Sequence, residues 1–299
     1  VGNVWGRTTR EEAVATVREA VSGGITFLDL APSYGDGEAE LVMGQAFGGI
    51  LPTGLKVSTK YRLGNPPKGN ASRLLERSLD QSLARMKLER IDLFFLHGQI
   101  ISDNDVDRYE GTPRTLFTEI VRPWFEKMIS SGKMGDWGIT GIGEPSAVIE
   151  TITDNPSPAA VQVITNLLDS PGSMRKFQGP ARPREIIAAA TNAGVGVMGI
   201  RAVQAGALTD AFDRQIPDDH IDMGDYRRAA QFRKIAKELG ESTASLAHRY
   251  ALSMSGISTV VLGVKNRIEL RECITAEALG PLNEDVVEKI DEGVPEAGL

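Results

Sequence analysis

Residues 55–97 read LKVSTKYRLGNPPKGNASRLLERSLDQSLARMKLERIDLFFLH. A short run over 55–60 opens this stretch, and a second over 91–96 closes it. Between them, residues 72–86 set Leu74, Leu75, Leu79 and Leu83 at helical spacing, which gives one apolar face. Strand, helix, strand is one crossover unit of a parallel sheet.

The alternation continues in both directions. Short runs rich in Val, Ile, Leu or Phe recur at 25–29, 134–139, 159–164, 195–200 and 258–262, as strands buried on both faces do. Helical patterns fill the intervals at 9–20, 114–131, 145–153, 183–193, 225–239, 243–254 and 266–276. The first starts with a capping box, Thr9 and Glu12, before Ala13, Val14, Val17 and Val21. Seven strands are visible, and VGNVWG at residues 1–6 reads as the tail of an eighth. Eight strands in 299 residues predict a single-domain (β/α)8 TIM barrel with a truncated N-terminal strand. A doubly wound sheet would usually carry Gly-x-Gly-x-x-Gly after its first strand, and none occurs there. There is no Ser/Gly linker, repeat or low-complexity tract.

Composition narrows the function. Lys and Arg number 33 against 40 Asp and Glu, a formal charge of −7, which argues against nucleic-acid binding. One Cys and three His leave little for a disulfide framework or a zinc cage, so no metal is expected. No apolar run reaches 18 residues, and no secretory signal pattern opens the chain. A cytoplasmic protein without a membrane partner is the expectation.

Active sites of barrels lie at the C-terminal ends of the strands. Asp29, Lys60 and His97 close three successive strand patterns, and Tyr34 follows Asp29 in the next loop. Singly, Asp29 could cap a turn, Lys60 could lie on the surface and His97 could be a core histidine. Together they point to one mouth. The long connections 98–113 and 204–224 follow strands at the same end, either as active-site loops or as solvated excursions.

The stretch GITFLDLAPSYGDGEAELVMG at 24–44 resembles the aldo-keto reductase signature, through Gly24, Asp29, Ala31, Tyr34, Gly35 and Glu38. The resemblance continues through KVSTK ending at Lys60, SLDQSLARMKLERIDLFFLH ending at His97, and VQVITNLLD with Gln162 and Asn166. It closes with STVVLGVKNRIELRE at 258–272 and covers nearly the whole chain. It implies an NADPH-dependent reductase of aldehydes or ketones, reversible as an alcohol dehydrogenase, with NADH as the other cofactor candidate. Tyr34 would donate the proton. A free phenol has a pKa of about 10, so Lys60 would lower it, and Asp29 would anchor Lys60 by an ion pair. His97 would hydrogen-bond the substrate carbonyl oxygen.

The implied cofactor residues fit less evenly. Thr140 and Gln162 would hold the nicotinamide carboxamide, but Gly141 stands where the family carries Asn. Ile200 or Arg201 stands where many relatives place an aromatic. Arg201 would reach pyrophosphate or a substrate anion, or else pair with a nearby carboxylate. Gly206 and its neighbours could cradle pyrophosphate. Gly263, Val264, Lys265, Asn266 and Arg267 lead into a helix whose N-terminus suits phosphate. Lys265 and Arg267 would contact the 2′-phosphate of NADPH; Glu269 would repel it or read a free ribose diol, and Glu272 would meet adenine. The substrate would be a small carbonyl compound, and the enzyme a monomer or weak oligomer. A rival reading is a cofactor-binding accessory subunit of the potassium-channel type; a third is a barrel enzyme acting on sugar phosphates. Trp124 and Trp137 are expected in the core, Trp5 near the pocket, and Cys273 inert. The acidic stretch 217–225 reads as a solvated, mobile loop, and Tyr109 lies in a loop that could cover the mouth.

Overall fold

The computed structural model describes residues 8–210, 212 and 215–294. Seven strands form one sheet: β1 (Phe27–Asp29), β2 (Lys56–Tyr61), β3 (Ile91–Leu96), β4 (Met134–Thr140), β5 (Ala160–Ile164), β6 (Gly196–Ile200) and β7 (Thr259–Val260). They neighbour one another in chain order, and every adjacent pair is parallel. All seven sequence-based strands are thus present. The strand expected at residues 1–6, and Trp5 within it, lie outside the described residues, among which the sheet does not close.

The sheet is nevertheless strongly curled. Asp29 on β1 and Gln162 on β5 are four strands apart, roughly 19 Å on a flat sheet. Their side chains meet at 3.0 Å. Side chains alternate faces along a strand, so curling creates two cores. The outward set, including Val57, Phe94, Trp137, Ile139, Val161 and Val197, packs in the large core beneath the helices. The inward set is smaller: Leu93, Phe95, Ala160 and Met198 pack with Phe27 and Val261. Above that apolar layer, the inward positions turn polar.

The helices that cover the sheet follow the periodicity closely at first. Arg10–Ser22 is capped as its sequence indicates, with Thr9 Oγ1 accepting from the Glu12 amide at 3.2 Å. The segments Lys68–Met86, Pro145–Thr153, Pro183–Asn192, Thr243–Ser253 and Arg267–Leu279 match their patterns within a turn. Two expected helices are interrupted. The 114–131 pattern splits into Arg114–Leu116, a π-helical stretch Phe117–Val121, and Arg122–Ser130. The 225–239 pattern divides into Ile221–Arg228 and Ala230–Leu239. Helices Glu38–Phe47 and Glu284–Glu292 are additional. The acidic stretch 217–225 is not a solvated loop throughout: it runs into Ile221–Arg228, which buries Asp222 and Asp225. Trp124 and Trp137 lie in the core as expected. No described helix is long and apolar enough to cross a membrane.

One buried charge ties the outer helices to β2. Glu40, on Glu38–Phe47, is fully buried. It accepts from Thr59 Oγ1 at 2.5 Å and from Arg85 Nε at 2.6 Å. Glu40→Ala would leave Thr59 Oγ1 and Arg85 Nε without this acceptor. Breaking a fully buried pair costs about 3 kcal/mol, and the loss here should be somewhat smaller because Arg85 is a quarter exposed and also donates to Ser82 Oγ. Urea unfolding should show that loss for Glu40→Ala and a smaller one for Glu40→Gln, whose amide oxygen can still accept from Arg85 while its NH2 donates to the Thr59 hydroxyl.

Candidate active site

The mouth of the curled sheet is built from strand ends. Asp29 is the last residue of β1, Lys60 the penultimate of β2, and His97 the first after β3. Tyr34 hangs in the turn that leaves β1, where Gly35, Asp36 and Gly37 take φ of 65°, 54° and 89°. Those left-handed conformations favour glycine and start helix Glu38–Phe47 directly after the tyrosine.

The sequence-predicted quartet is brought together. Lys60 is completely buried. Its Nζ donates to Asp29 Oδ2 at 2.6 Å, to the Leu30 carbonyl at 2.9 Å and to the Tyr34 hydroxyl at 3.1 Å. An ammonium has three donors, so all are used. The Tyr34 and His97 rings meet edge to face, 5.7 Å between centroids at 87°.

Burial opposes the Lys60 cation, but Asp29 and Tyr34 outweigh it and hold the ammonium pKa above its ordinary value. Tyr34 differs from the sequence expectation. Burial of its hydroxyl pushes the phenol above its ordinary pKa, although Lys60 pulls the other way. His97 is pushed down to about 3, mainly by burial and then by the nearby charges of Lys60 and Arg62. It is therefore a neutral imidazole near pH 7.

The residues expected to hold a nicotinamide give a mixed outcome. Thr140 ends β4 beside Gln162 of β5 in register, and its buried hydroxyl has no hydrogen-bond partner. Gln162 is already engaged, donating from Nε2 to Asp29 Oδ1. Gly141 has a packing reason: a Cβ there would lie 2.9 Å from Val161 Cγ2 and 3.0 Å from the Gln162 carbonyl. An asparagine in that place would require the Val161 side chain to shift. Ile200 ends β6, half-buried.

Arg201 resolves toward the carboxylate. It lies 3.7 Å from Asp222 and donates from Nε to Gln204 at 2.9 Å. Gln204 in turn donates to Asp225 at 2.6 Å and accepts from Asn166 at 3.0 Å. Asn166, from the resembling strand motif, thus braces loops and does not face an open mouth: it is fully buried. The network holds Arg201, Gln204 and Ala205 in left-handed conformations, φ 60°, 47° and 50°. The Gly206 amide is taken by the Val203 carbonyl at 2.9 Å. Tyr109 does not stand free, since its hydroxyl accepts from the Gln178 amide at 3.3 Å.

The last loop is closed upon itself. Gly263 is exposed and Val264 half-buried. Lys265 pairs with Glu269 at 3.0 Å, and its amide donates to the same carboxylate at 2.8 Å. Arg267 pairs with Glu12 of the first helix at 3.0 Å, and the Arg267 amide donates there at 3.1 Å. Asn266 Oδ1 accepts from the Ile268 and Glu269 amides, both at 3.0 Å. The helix N-terminus expected to receive phosphate is therefore filled by side-chain oxygens. Glu272 accepts from Ser242 Oγ. Cys273 is buried against His248, and burial pushes its thiol up to about 12, consistent with an inert thiol.

The sequence model of the Aldo/keto reductase family matches residues 1–294. The chain belongs to the aldo/keto reductase family. Its curled parallel sheet with helices outside is the fold of that oxidoreductase family, and the sequence resemblance is confirmed. L-galactose dehydrogenase of Arabidopsis thaliana is 26% identical over 289 residues, covering 94% of this chain and 83% of that protein. A probable voltage-gated potassium channel subunit beta, also of Arabidopsis thaliana, is 25% identical over 303 residues, covering 94% and 87%. The solved aldo/keto reductase of Klebsiella pneumoniae, in complex with NADP and acetate, has a TM-score of 0.66 at 18% identity, covering 96% and 87%.

Within this aldo/keto reductase, sequence reasoning missed Ser58 and the Gln204–Asp225 pair. Ser58 had a signal: it lies two residues before Lys60, so it shares the inward face. Gln204 and Asp225 had none, because a loop residue and a helix residue 21 positions apart share no periodicity.

Acid should weaken the fold through two histidines. His97 and His248 are held at about 3 and about 4, against 6.5 when unperturbed, both mainly by burial. Below pH 6.5 the unfolded chain binds protons that the folded one refuses, so stability falls with pH until the folded values are reached. Urea unfolding between pH 4 and 7 should show stability rising with pH, and His248→Asn should flatten the slope.

Proposed function

We propose that this chain reduces aldehydes or ketones with NADPH, reversibly, with Tyr34 as the proton donor. The observation that carries this reading is the saturated Lys60 ammonium. Its third hydrogen goes to the Tyr34 oxygen, which leaves the phenolic hydrogen of Tyr34 free to point at a substrate. His97, neutral and edge-on to Tyr34, offers a ring N–H to the same carbonyl oxygen. Two donors aimed at one oxygen favour the alkoxide that develops there.

Nicotinamide supplies the hydride to the carbonyl carbon when bound. Thr140, with its unpartnered buried hydroxyl, and the Gln162 carbonyl oxygen suit the carboxamide, and Ile200 suits the ring face. The complex of the Klebsiella pneumoniae relative with NADP supports the choice of cofactor. As the substrate oxygen gains charge, the Tyr34 proton moves to it, an alkoxide being a stronger base than a phenolate. Lys60 stabilises the phenolate left behind, and Asp29 keeps Lys60 in place.

Tyr34→Phe deletes the acid and keeps the ring. Steady-state reduction should fall by about two to four orders of magnitude, the span of a general acid, with cofactor affinity nearly unchanged. A variant retaining half the parent rate would remove Tyr34 from this role.

The similarity to a plant potassium channel subunit supports a second reading, a cofactor-binding accessory subunit. Consumption of NADPH over many turnovers with a panel of aldehydes and ketones favours the enzyme. Tight binding with negligible turnover across the panel favours the subunit.

The closed last loop sets the cofactor preference. Lys265 and Glu269 neutralise each other, as do Arg267 and Glu12. Preference for NADPH over NADH should be modest and should shrink with salt. Glu269→Gln releases Lys265 toward a 2′-phosphate and should tighten NADPH severalfold while leaving NADH little changed. Tighter NADH binding by the parent, weakened by Glu269→Gln, would mean that the carboxylate reads the ribose diol.

A further inference from the structure

The two oxygens of Asp29 have different partners. Oδ2 takes the Lys60 ammonium at 2.6 Å. Oδ1 takes Ser58 Oγ at 2.6 Å and Gln162 Nε2 at 3.0 Å. Ser58 is fully buried, Gln162 is 3% exposed and the Asp29 side chain 6%. Hydrogen bonds count for more in such a site than in water, because little solvent competes.

We propose that Ser58 is a positioning residue that, through Asp29, sets the acidity of Tyr34. This rests on the reading of Tyr34 as the proton donor. A carboxylate that neutralised Lys60 fully would leave the phenolate no net positive charge to face. Two donors on Oδ1 draw carboxylate charge toward that oxygen and away from Lys60. The ammonium then keeps more of its field for Tyr34, with which it also makes a hydrogen bond. Ser58 lies on the same strand as Lys60 and on the same inward face, so β2 supplies both the cation and the group that tempers its counter-ion. Gln162 does the same from β5 and orients Asp29 across the barrel.

The experiment compares the parent with Ser58→Ala, Ser58→Thr and Gln162→Leu. The pH profile of kcat for carbonyl reduction is measured first. Ser58→Ala should move the alkaline limb upward by about half a pH unit or more, as loss of a hydrogen bond to a charged partner does. It should also lower kcat while KM for the carbonyl substrate stays within about twofold, since no substrate contact is lost. Ser58→Thr restores the hydroxyl and should return the limb toward the parent. The second readout needs neither cofactor nor turnover. Tyrosine labelled at Cζ with carbon-13 is titrated by NMR in the free protein, and Tyr34 is assigned by the signal lost in Tyr34→Phe. The Tyr34 midpoint should rise in Ser58→Ala and in Gln162→Leu. A limb and a midpoint that both stay put in Ser58→Ala overturn the proposal, whatever happens to kcat. If the midpoint rises while the parent turns over no carbonyl, the coupling stands and the reductase reading is the one that fails.

Discussion

A fully buried lysine ammonium governs the mouth of this protein. Moving a cation out of water is costly unless every donor finds an oxygen. Lys60 finds three: a carboxylate, a backbone carbonyl and a phenol. None comes from its own strand. Asp29 and Leu30 sit at the end of β1, and Tyr34 lies in the turn beyond it, so the neutralised cation requires β1 and β2 side by side in register. Asp29 requires Gln162 in turn, and that contact exists only because the sheet curls until β1 and β5 face each other. The curvature that places the site and the charge pairing that makes it tolerable are therefore one condition.

Stability comes from elsewhere. The outward faces of the strands meet the helices in the large core, while the inner core holds few apolar side chains. A barrel interior that is already a minor contributor can give its top layer to Ser58, Lys60, Thr140 and Gln162 without losing the fold. The loops above that layer are held by a second buried polar set, Asn166, Ser170, Gln204 and Asp225. Ser170 Oγ donates to Asp225 at 2.6 Å, which couples the loop after β5 to the helix Ile221–Arg228. Rigid loops with left-handed residues at fixed places are what such a network can impose.

The fold was legible in the sequence because strand and helix periods are local. Val57, Phe94 and Val197 had to be buried wherever the chain went. Tyr34, Lys60 and His97 were legible because each sits at, or just beyond, a strand end that the periodicity already located. What the residues did not display was balance among opposed effects. Lys60 lowers the phenol of Tyr34, as its charge suggests, but burial raises it further, and burial is a property of the packed chain. Helix Glu38–Phe47 was hidden because its start depends on the turn at Gly35, Asp36 and Gly37. Arg201 could have faced phosphate or carboxylate; its choice depends on Asp222, 21 positions away.

The last helix shows how much such pairings decide. From sequence, Lys265 and Arg267 before a helix N-terminus read as an anion site. In the folded chain Glu12, Asn266 and Glu269 occupy the amides of residues 265, 267, 268 and 269. The positive end of the helix is thereby satisfied by the protein's own side-chain oxygens, two carboxylates and one amide. Glu12 belongs to the first helix, so this contact also fastens the first helix to the last. An arriving phosphate must displace Glu12 or Glu269, but it competes with ion pairs that are exposed to water. Such pairs contribute little and weaken further in salt. A phosphate ester can engage both cations and several amides together, with stronger charge-assisted hydrogen bonds than either carboxylate makes alone. NADPH binding as proposed above therefore needs Glu12 and Glu269 to be no more than weak occupants, holding Lys265 and Arg267 in place at little cost to whatever would replace them.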